Sequence, residues 1–295
     1  APGDTVLWAN AINDAICLSG RAYPAGRMCD YVEAMIRHCA AAGARFIPVI
    51  LDTFPQHLQR EQAAYGRAID ALCDHYGLRP VHLPRAFAAE TGTTQIPRHH
   101  YTDILHLVRG GDMVAFVAEL ATARIDQGGP PPADVPPLRL SPGTRFQLAR
   151  NFVGLADEEV HTPIYHARAW RPPVTLTPEV PHGTRAWVEG VTLVADPFAG
   201  RVVLTVGEAQ VLLSASHNFA YTQSVLALTA SIPLLCPQGV ALPEGGALRF
   251  DWDPSGHPID VDMYFAPTPR GAAFGGGPGT SRARVVSVLF RCETA

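Results

Sequence analysis

The fold of the first half of this chain follows from one short apolar run, Arg45-Phe46-Ile47-Pro48-Val49-Ile50-Leu51. A run this short, rich in β-branched and aromatic residues, is typical of a strand that is buried on both faces. Residues 31–42 and 59–76, on either side of it, place apolar side chains at helical spacing, and Gly43 and Gly77 end these two patterns. A strand between two helices indicates a parallel sheet covered by helices.

The same alternation continues on both sides of this run. Residues 5–9 predict a buried strand, residues 79–83 a short third strand, and residues 111–125 a final helix. Residues 1–126 are therefore predicted to form an α/β domain with a parallel sheet between helical layers. Ligands bind such sheets at the carboxyl ends of the strands, where we expect the functional side chains.

The second half of the chain has a different pattern. Residues 127–142 are rich in proline and glycine, which predicts a semi-rigid linker. Beyond it, residues 143–295 alternate apolar and polar side chains with a period of two, and turn residues separate the runs. This spacing predicts an all-β sandwich or jelly roll. The predicted strands are 186–194, 201–206, 210–213, 247–252, 259–265 and 284–290.

Composition excludes several classes of protein. The chain has 295 residues, of which 47% are hydrophobic and 17% charged, as expected for a globular protein with one large or two ordinary domains. A net charge of −4 gives no electrostatic reason to expect nucleic acid or an anionic membrane as a partner. No apolar run is long enough to predict a membrane span. Six cysteines without a CxxC pair favour buried free thiols, although their even number also permits disulfides.

The main chemical candidate is the stretch Tyr101-Thr102-Asp103-Ile104-Leu105-His106, just before the last predicted helix. A carboxylate that orients an imidazole and stabilises it as imidazolium is two-thirds of a nucleophilic triad. A spacing of three residues allows one turn of backbone to carry both groups. The alternative is that Asp103 is a helix N-cap and His106 an ordinary residue at the helix entry, because Asp is a preferred N-cap.

A second candidate follows the first predicted strand, where the chain reads Ala11-Ile12-Asn13-Asp14. An Asn at the carboxyl end of a strand can donate its side-chain amide to a developing oxyanion. The alternative interpretation is a simple turn after the strand.

These two motifs, in this order, resemble those of the SGNH (GDSL-type) hydrolase family over about residues 5–125. The resemblance implies a flavodoxin-like three-layer α/β fold and acyl transfer at an ester, either as a serine esterase or as an O-acyltransferase. It also implies that Asn13 is the oxyanion donor, His106 the general base and Asp103 its orienting carboxylate, with no cofactor. The appended β domain favours a small-molecule or glycan ester, in particular an acylated carbohydrate, as the substrate.

The chain departs from the family pattern in two ways. Ala11 replaces the glycine of the family's Gly-x-Asn-Asp block. The Gly-Asp-Ser block, whose strand belongs in the middle of the family's sheet, is not present, so the nucleophilic serine is not located. We therefore expect an upstream segment or a second chain to complete the sheet. Within the chain, the stretch most similar to a Gly-Asp-Ser block is Asp253-Pro254-Ser255-Gly256-His257, which contains Ser255. This stretch is more typical of a hairpin turn.

Two further hypotheses concern binding. Trp170, Trp187 and Trp252 are either core residues or a sugar-stacking platform, and an exposed set would favour a non-catalytic carbohydrate- or protein-binding module. The histidines form two groups, His99 and His100 with His106, and His161 with His166. Neither group has a carboxylate or Cys partner at ligand spacing, so no metal site is expected.

Overall fold

The apolar run at residues 45–51 forms a strand at the centre of a three-stranded parallel sheet. The computed structural model describes residues 1–9, 25–51, 59–154, 157–162, 165–195, 200–215, 226–236, 239–253 and 283–294. It divides the chain into two units, Ala1–Pro142 and Gly143–Ala295. In the first unit the strands lie in the order β1 (Thr5–Trp8), β2 (Arg45–Ile50) and β3 (Val81–His82). Its helices are α1 (Ala25–Ala42), α2 (Gln59–His75), α3 (Leu83–Thr91) and α4 (Asp112–Gln127), with a 3-10 turn at Arg98–His100.

Successive side chains of β2 point to opposite faces of the sheet, and helices bury the apolar side chains on both faces. Phe46 is buried in a cluster with Ile36 of α1 and Leu72 of α2. Ile47 is buried in a separate cluster with Ala121 of α4. In the first unit, helices therefore pack on both faces of a three-stranded parallel sheet. Helices α1, α2 and α4 overlap the predicted helical stretches, whereas α3 was not predicted, and it begins at Leu83, within the stretch predicted as the third strand.

The prediction that residues 5–9 form a buried strand is wrong in one respect. Trp8 is buried, but the side chains of Val6 and Leu7 are 39% and 50% exposed. The physical reason is position: among the described strands β1 pairs with β2 alone, so it lies at the edge of the sheet.

The segment predicted as a linker, residues 127–142, packs against the first unit and belongs to it. The carboxylate of Glu33 in α1 is fully buried and accepts the backbone N–H groups of Leu138, Arg139 and Leu140 at 2.5, 2.9 and 2.9 Å. Arg37, one turn further along α1, donates to the carbonyl of Val135 at 3.1 Å. Proline excludes a helix or a central strand here, but these contacts fix the segment in place.

The second unit consists of two antiparallel sheets that share one core. Val202 and Phe250 of one sheet are buried in the same cluster as Val191 and Val288 of the other, as in a β-sandwich. One sheet has the order β11-β10-β14-β8-β5, and the other has the order β12-β9-β15-β7-β6, with β13 paired to β9 and β4 to β15. The strands are β4 (Arg145–Ala149), β5 (Phe152–Gly154), β6 (Asp157–Thr162), β7 (Tyr165–Trp170), β8 (Val174–Leu176), β9 (Thr184–Ala195), β10 (Arg201–Val206), β11 (Ala209–Ser214), β12 (Leu226–Ser231), β13 (Val240–Leu242), β14 (Leu248–Trp252) and β15 (Arg284–Thr294), and a short helix α5 (Ile232–Leu235) follows β12.

Strands β4 to β8, β12 and β13 of this unit were not predicted from the sequence. Charged and polar side chains interrupt the apolar residues of β4, β6 and β7, and β5, β8 and β13 have only three residues each. The predicted strand at residues 259–265 lies outside the described residues.

The five described cysteines are free and four of them are buried, as expected for structural thiols. Among the described helices, none combines the length and the hydropathy needed to cross a bilayer.

Candidate active site

Asp103 and His106 lie at the tip of a short loop between α3 and α4. Backbone hydrogen bonds close this loop: the N–H of Thr102 donates to the carbonyl of His106, and the N–H of Val108 donates to that of His100, both at 2.8 Å. The two candidate side chains are therefore presented by a fixed backbone turn.

Hydrophobic contacts place this loop at the carboxyl end of the sheet. Tyr101 is buried in a cluster with Leu83 and Phe87. Leu51 and Leu107 are partly buried against the same cluster. Leu51 follows β2 directly and Leu83 follows β3, so the loop lies where these two parallel strands end. Ligands of α/β sheets bind at this edge.

The two side chains form a direct carboxylate–imidazole pair. Nδ1 of His106 lies 2.8 Å from Oδ2 and 3.0 Å from Oδ1 of Asp103. Oδ1 also accepts the backbone N–H groups of Leu105 at 2.7 Å and of His106 at 2.9 Å. The N–H of Leu105, followed by the side chain and N–H of His106, lowers the pKa of Asp103 below its usual value. Asp103 is therefore an anion at neutral pH.

This contact sets the protonation pattern of the imidazole. An ionised carboxylate can only accept hydrogen bonds, so Nδ1 of His106 carries a proton and Nε2 of the neutral ring has the free lone pair. No described residue hydrogen-bonds to Nε2. The side chains of His106 and Asp103 are 72% and 52% exposed. Nε2 is thus available to accept a proton from a substrate or from a nucleophile.

The alternative interpretation of Asp103 as the cap of the last helix is wrong. Helix α4 begins at Asp112, and its N-cap is Gly111, which lies eight residues beyond Asp103. Asp103 accepts N–H groups of its own loop instead. Its hydrogen bonds therefore orient His106 and do not start the helix.

The other predicted members of the site cannot be placed beside this pair. Ala11, Asn13, Asp14 and Ser255 lie outside the described residues. Among the described residues of the first unit, no hydroxyl group hydrogen-bonds to His106. The oxyanion donor and the nucleophile therefore stay predictions.

The tryptophans of the second unit are not presented as an exposed set. Trp170 is buried and packs on Phe152, with 4.7 Å between ring centroids. Trp187 is half-buried, and the guanidinium of Arg291 lies 4.5 Å from its ring centroid. Trp252 packs against the core of the sandwich. These positions agree with the interpretation of the three residues as core.

The expectation that His161 and His166 have no carboxylate partner at ligand spacing is wrong. The side chains of Glu159, His161 and His166 lie together on the hairpin β6–β7. Glu159 precedes His161 by two residues, and residues two apart in a strand share a face. That spacing was the available signal, whereas the position of His166 opposite His161 depends on the strand register.

The chain has no match among protein-family models, curated proteins or solved structures. The chemical interpretation of the loop therefore depends on its own geometry. That geometry consists of a carboxylate bound to Nδ1, an open Nε2, and a place at the carboxyl end of a parallel sheet.

Proposed function

We propose that the first unit is an SGNH-type ester hydrolase or O-acyltransferase domain in which His106 is the general base. The main support for the proposal is the Asp103–His106 pair, which lies on a fixed loop and leaves Nε2 of His106 without a partner among the described residues. Its place at the ends of β2 and β3 supports a substrate site there. Such proton transfer typically accelerates a reaction by about 10²–10⁴-fold.

The proposed reaction is acyl transfer. Nε2 of His106 takes the proton of a serine hydroxyl as its oxygen attacks the ester carbonyl, and Asp103 stabilises the resulting imidazolium. His106 then gives this proton to the leaving alcohol. Water releases the acyl group in an esterase, and a sugar hydroxyl accepts it in an O-acyltransferase. In this proposal Asn13 donates its amide to the oxyanion.

The nucleophilic serine is expected either from this chain or from an added segment. One source is an upstream segment or a second chain that adds a strand to the sheet. The exposed side chains of Val6 and Leu7 on the edge strand β1 support this idea, since proteins rarely leave apolar strand edges uncovered.

An acylated carbohydrate is the substrate class we propose, by association with the β-sandwich that follows the α/β unit. The rival function is a non-catalytic carbohydrate- or protein-binding module. It has less support, because Trp170 is buried and Trp187 and Trp252 are partly buried.

The test is hydrolysis of p-nitrophenyl acetate by the chain and by its His106→Ala variant. We expect the variant to lose at least about 100-fold in kcat/KM. His182→Ala is a matched control, because Nδ1 of His182 also lies 2.8 Å from a carboxylate, that of Glu244, at an exposed position of the second unit. The control is expected to keep full activity.

A serine-directed phosphonate and mass spectrometry then locate the nucleophile. We expect one labelled serine, and labelling that is much slower in His106→Ala. An inert chain that the phosphonate does not label would reject catalysis by these 295 residues alone. A His106→Ala variant as active as the unmodified chain would reject the role of His106.

A further inference from the structure

The hairpin β6–β7 gathers three side chains that can each offer one ligand atom to a metal ion. In its antiparallel register His161 lies directly opposite His166, and Glu159 lies opposite Arg168. Because residues two apart in a strand share a face, Glu159 and both histidines point to the same side of the hairpin. All three are exposed, whereas Val160 and Ala169, on the other side, are buried.

The ligand atoms already converge. Oε2 of Glu159 lies 3.4 Å from Nε2 of His161 and 3.8 Å from Nε2 of His166. The three ligand atoms lie within 4.8 Å of one another, and the two imidazole rings stack with centroids 4.1 Å apart. With metal–ligand bonds of about 2.0–2.1 Å, a tetrahedral Zn²⁺ site has ligand atoms roughly 3.3 Å apart. Small rotations of exposed side chains therefore suffice to form the site.

We propose that Glu159, His161 and His166 bind a divalent late transition-metal ion such as Zn²⁺. Two imidazole nitrogens and one carboxylate oxygen suit Zn²⁺, Ni²⁺ and Cu²⁺, whereas Ca²⁺ and Mg²⁺ require oxygen ligands. Three protein ligands leave a fourth tetrahedral position for water or an exogenous ligand. The bound ion cross-links the two strands of the hairpin.

The charge of Arg168 opposes this binding. Arg168 lies across the hairpin from Glu159 and on the same face, so it places a positive charge beside the ion. Arg168→Gln is therefore expected to tighten binding.

The metal site does not depend on the proposed function of the first unit. Its three residues lie in the second unit, whereas Asp103 and His106 belong to the first. Loss of metal binding and loss of ester hydrolysis are measured separately, so either proposal can fail alone.

The test is isothermal titration of the metal-free, untagged chain with ZnCl₂ and, in parallel, with MgCl₂. We expect one Zn²⁺ per chain and no Mg²⁺. Changing a neighbouring residue that only orients a metal ligand already costs about 10–100-fold in metal affinity. Loss of a ligand in Glu159→Gln, His161→Ala or His166→Ala should therefore weaken Zn²⁺ binding by at least about tenfold.

The control variants decide where the ion binds. His182→Ala removes a histidine that is paired with one carboxylate and should leave the affinity unchanged. His99→Ala tests the other histidine pair, whose rings lie 4.0 Å apart, and should also have no effect. Visible absorption of the Co²⁺-loaded chain reports the coordination directly. A chain that does not bind Zn²⁺, or one whose affinity survives His161→Ala and His166→Ala in variants with unchanged circular dichroism, overturns the proposal.

Discussion

Two carboxylates of the first unit, those of Glu33 and Asp103, each accept backbone N–H groups of a non-helical segment. They differ in burial and in the side chains that they bind. Glu33 accepts three N–H groups of the segment at residues 138–140 and the hydroxyl of Tyr76, so each of its oxygens has two donors. Asp103 accepts two N–H groups of its loop and Nδ1 of His106. Glu33 is fully buried, whereas Asp103 is half exposed.

The difference separates a structural role from a chemical one. The acceptor capacity of Glu33 is used entirely within the fold, and burial makes each of these hydrogen bonds costly to lose. The hydrogen bonds of Asp103 fix a second ionisable group, His106, whose other nitrogen stays open. We therefore expect substitutions of Glu33 to change stability, and substitutions of Asp103 to change activity.

The largest expected effect is on stability. Glu33→Ala leaves the buried donors of Leu140 and Tyr76, and the partly buried donors of Leu138 and Arg139, without their acceptor. This should cost about 4–5 kcal/mol in the free energy of unfolding. Urea unfolding followed by circular dichroism measures this loss. Asp30→Ala is the control, because Asp30 on the same helix pairs with Arg139 of the same segment at a more exposed site, and its loss should cost less than about 1 kcal/mol. Equal costs for the two variants would contradict the structural role of Glu33.

Asp103→Asn should instead lower activity and leave stability nearly unchanged. The amide does not stabilise imidazolium, and it can donate to Nδ1, which favours the tautomer with the proton on Nε2. We expect kcat/KM for p-nitrophenyl acetate to fall by about 10²–10³-fold, while the free energy of unfolding changes by less than about 1 kcal/mol. Unchanged hydrolysis, or a large loss of stability, would remove the contrast with Glu33.

A smaller effect is expected for Tyr76→Phe, which removes one donor from Glu33 and should cost about 1–2 kcal/mol. Burial, followed by the hydrogen bond to Glu33, raises the pKa of Tyr76 from 10.0 to about 12. The folded state holds the proton of the Tyr76 hydroxyl more tightly than the unfolded state does. The contribution of Tyr76 to the free energy of unfolding is therefore complete below pH 10 and is lost as the pH rises towards 12. The difference in unfolding free energy between the chain and the variant should therefore narrow from pH 9 to pH 11, and a constant difference would contradict this assignment.

The sequence was informative where the contacts are local. Asp103 and His106 are three residues apart in a tight loop, so their pairing follows from spacing, and β2 follows from a continuous apolar run. Glu33 and Leu138 are 105 residues apart, and no periodicity predicts such a contact. The resulting packing of residues 127–142 was therefore missed.

The pairing of His161 with His166 depends on register, and the exposure of β1 depends on which strands lie beside it. Composition and spacing do not specify either property. The missed cluster on the hairpin and the incorrect prediction of a buried first strand have this common cause.

The most direct test of the central claim is chemical rescue of His106→Ala by free imidazole. If Nε2 of His106 is the general base, added imidazole fills the space left by the side chain and restores hydrolysis of p-nitrophenyl acetate in a saturable manner, above the rate of imidazole in buffer. The double variant Asp103→Asn, His106→Ala should be rescued less, because the carboxylate that orients the imidazole is gone. A His106→Ala variant whose rate in imidazole equals that of the buffer control would contradict the account.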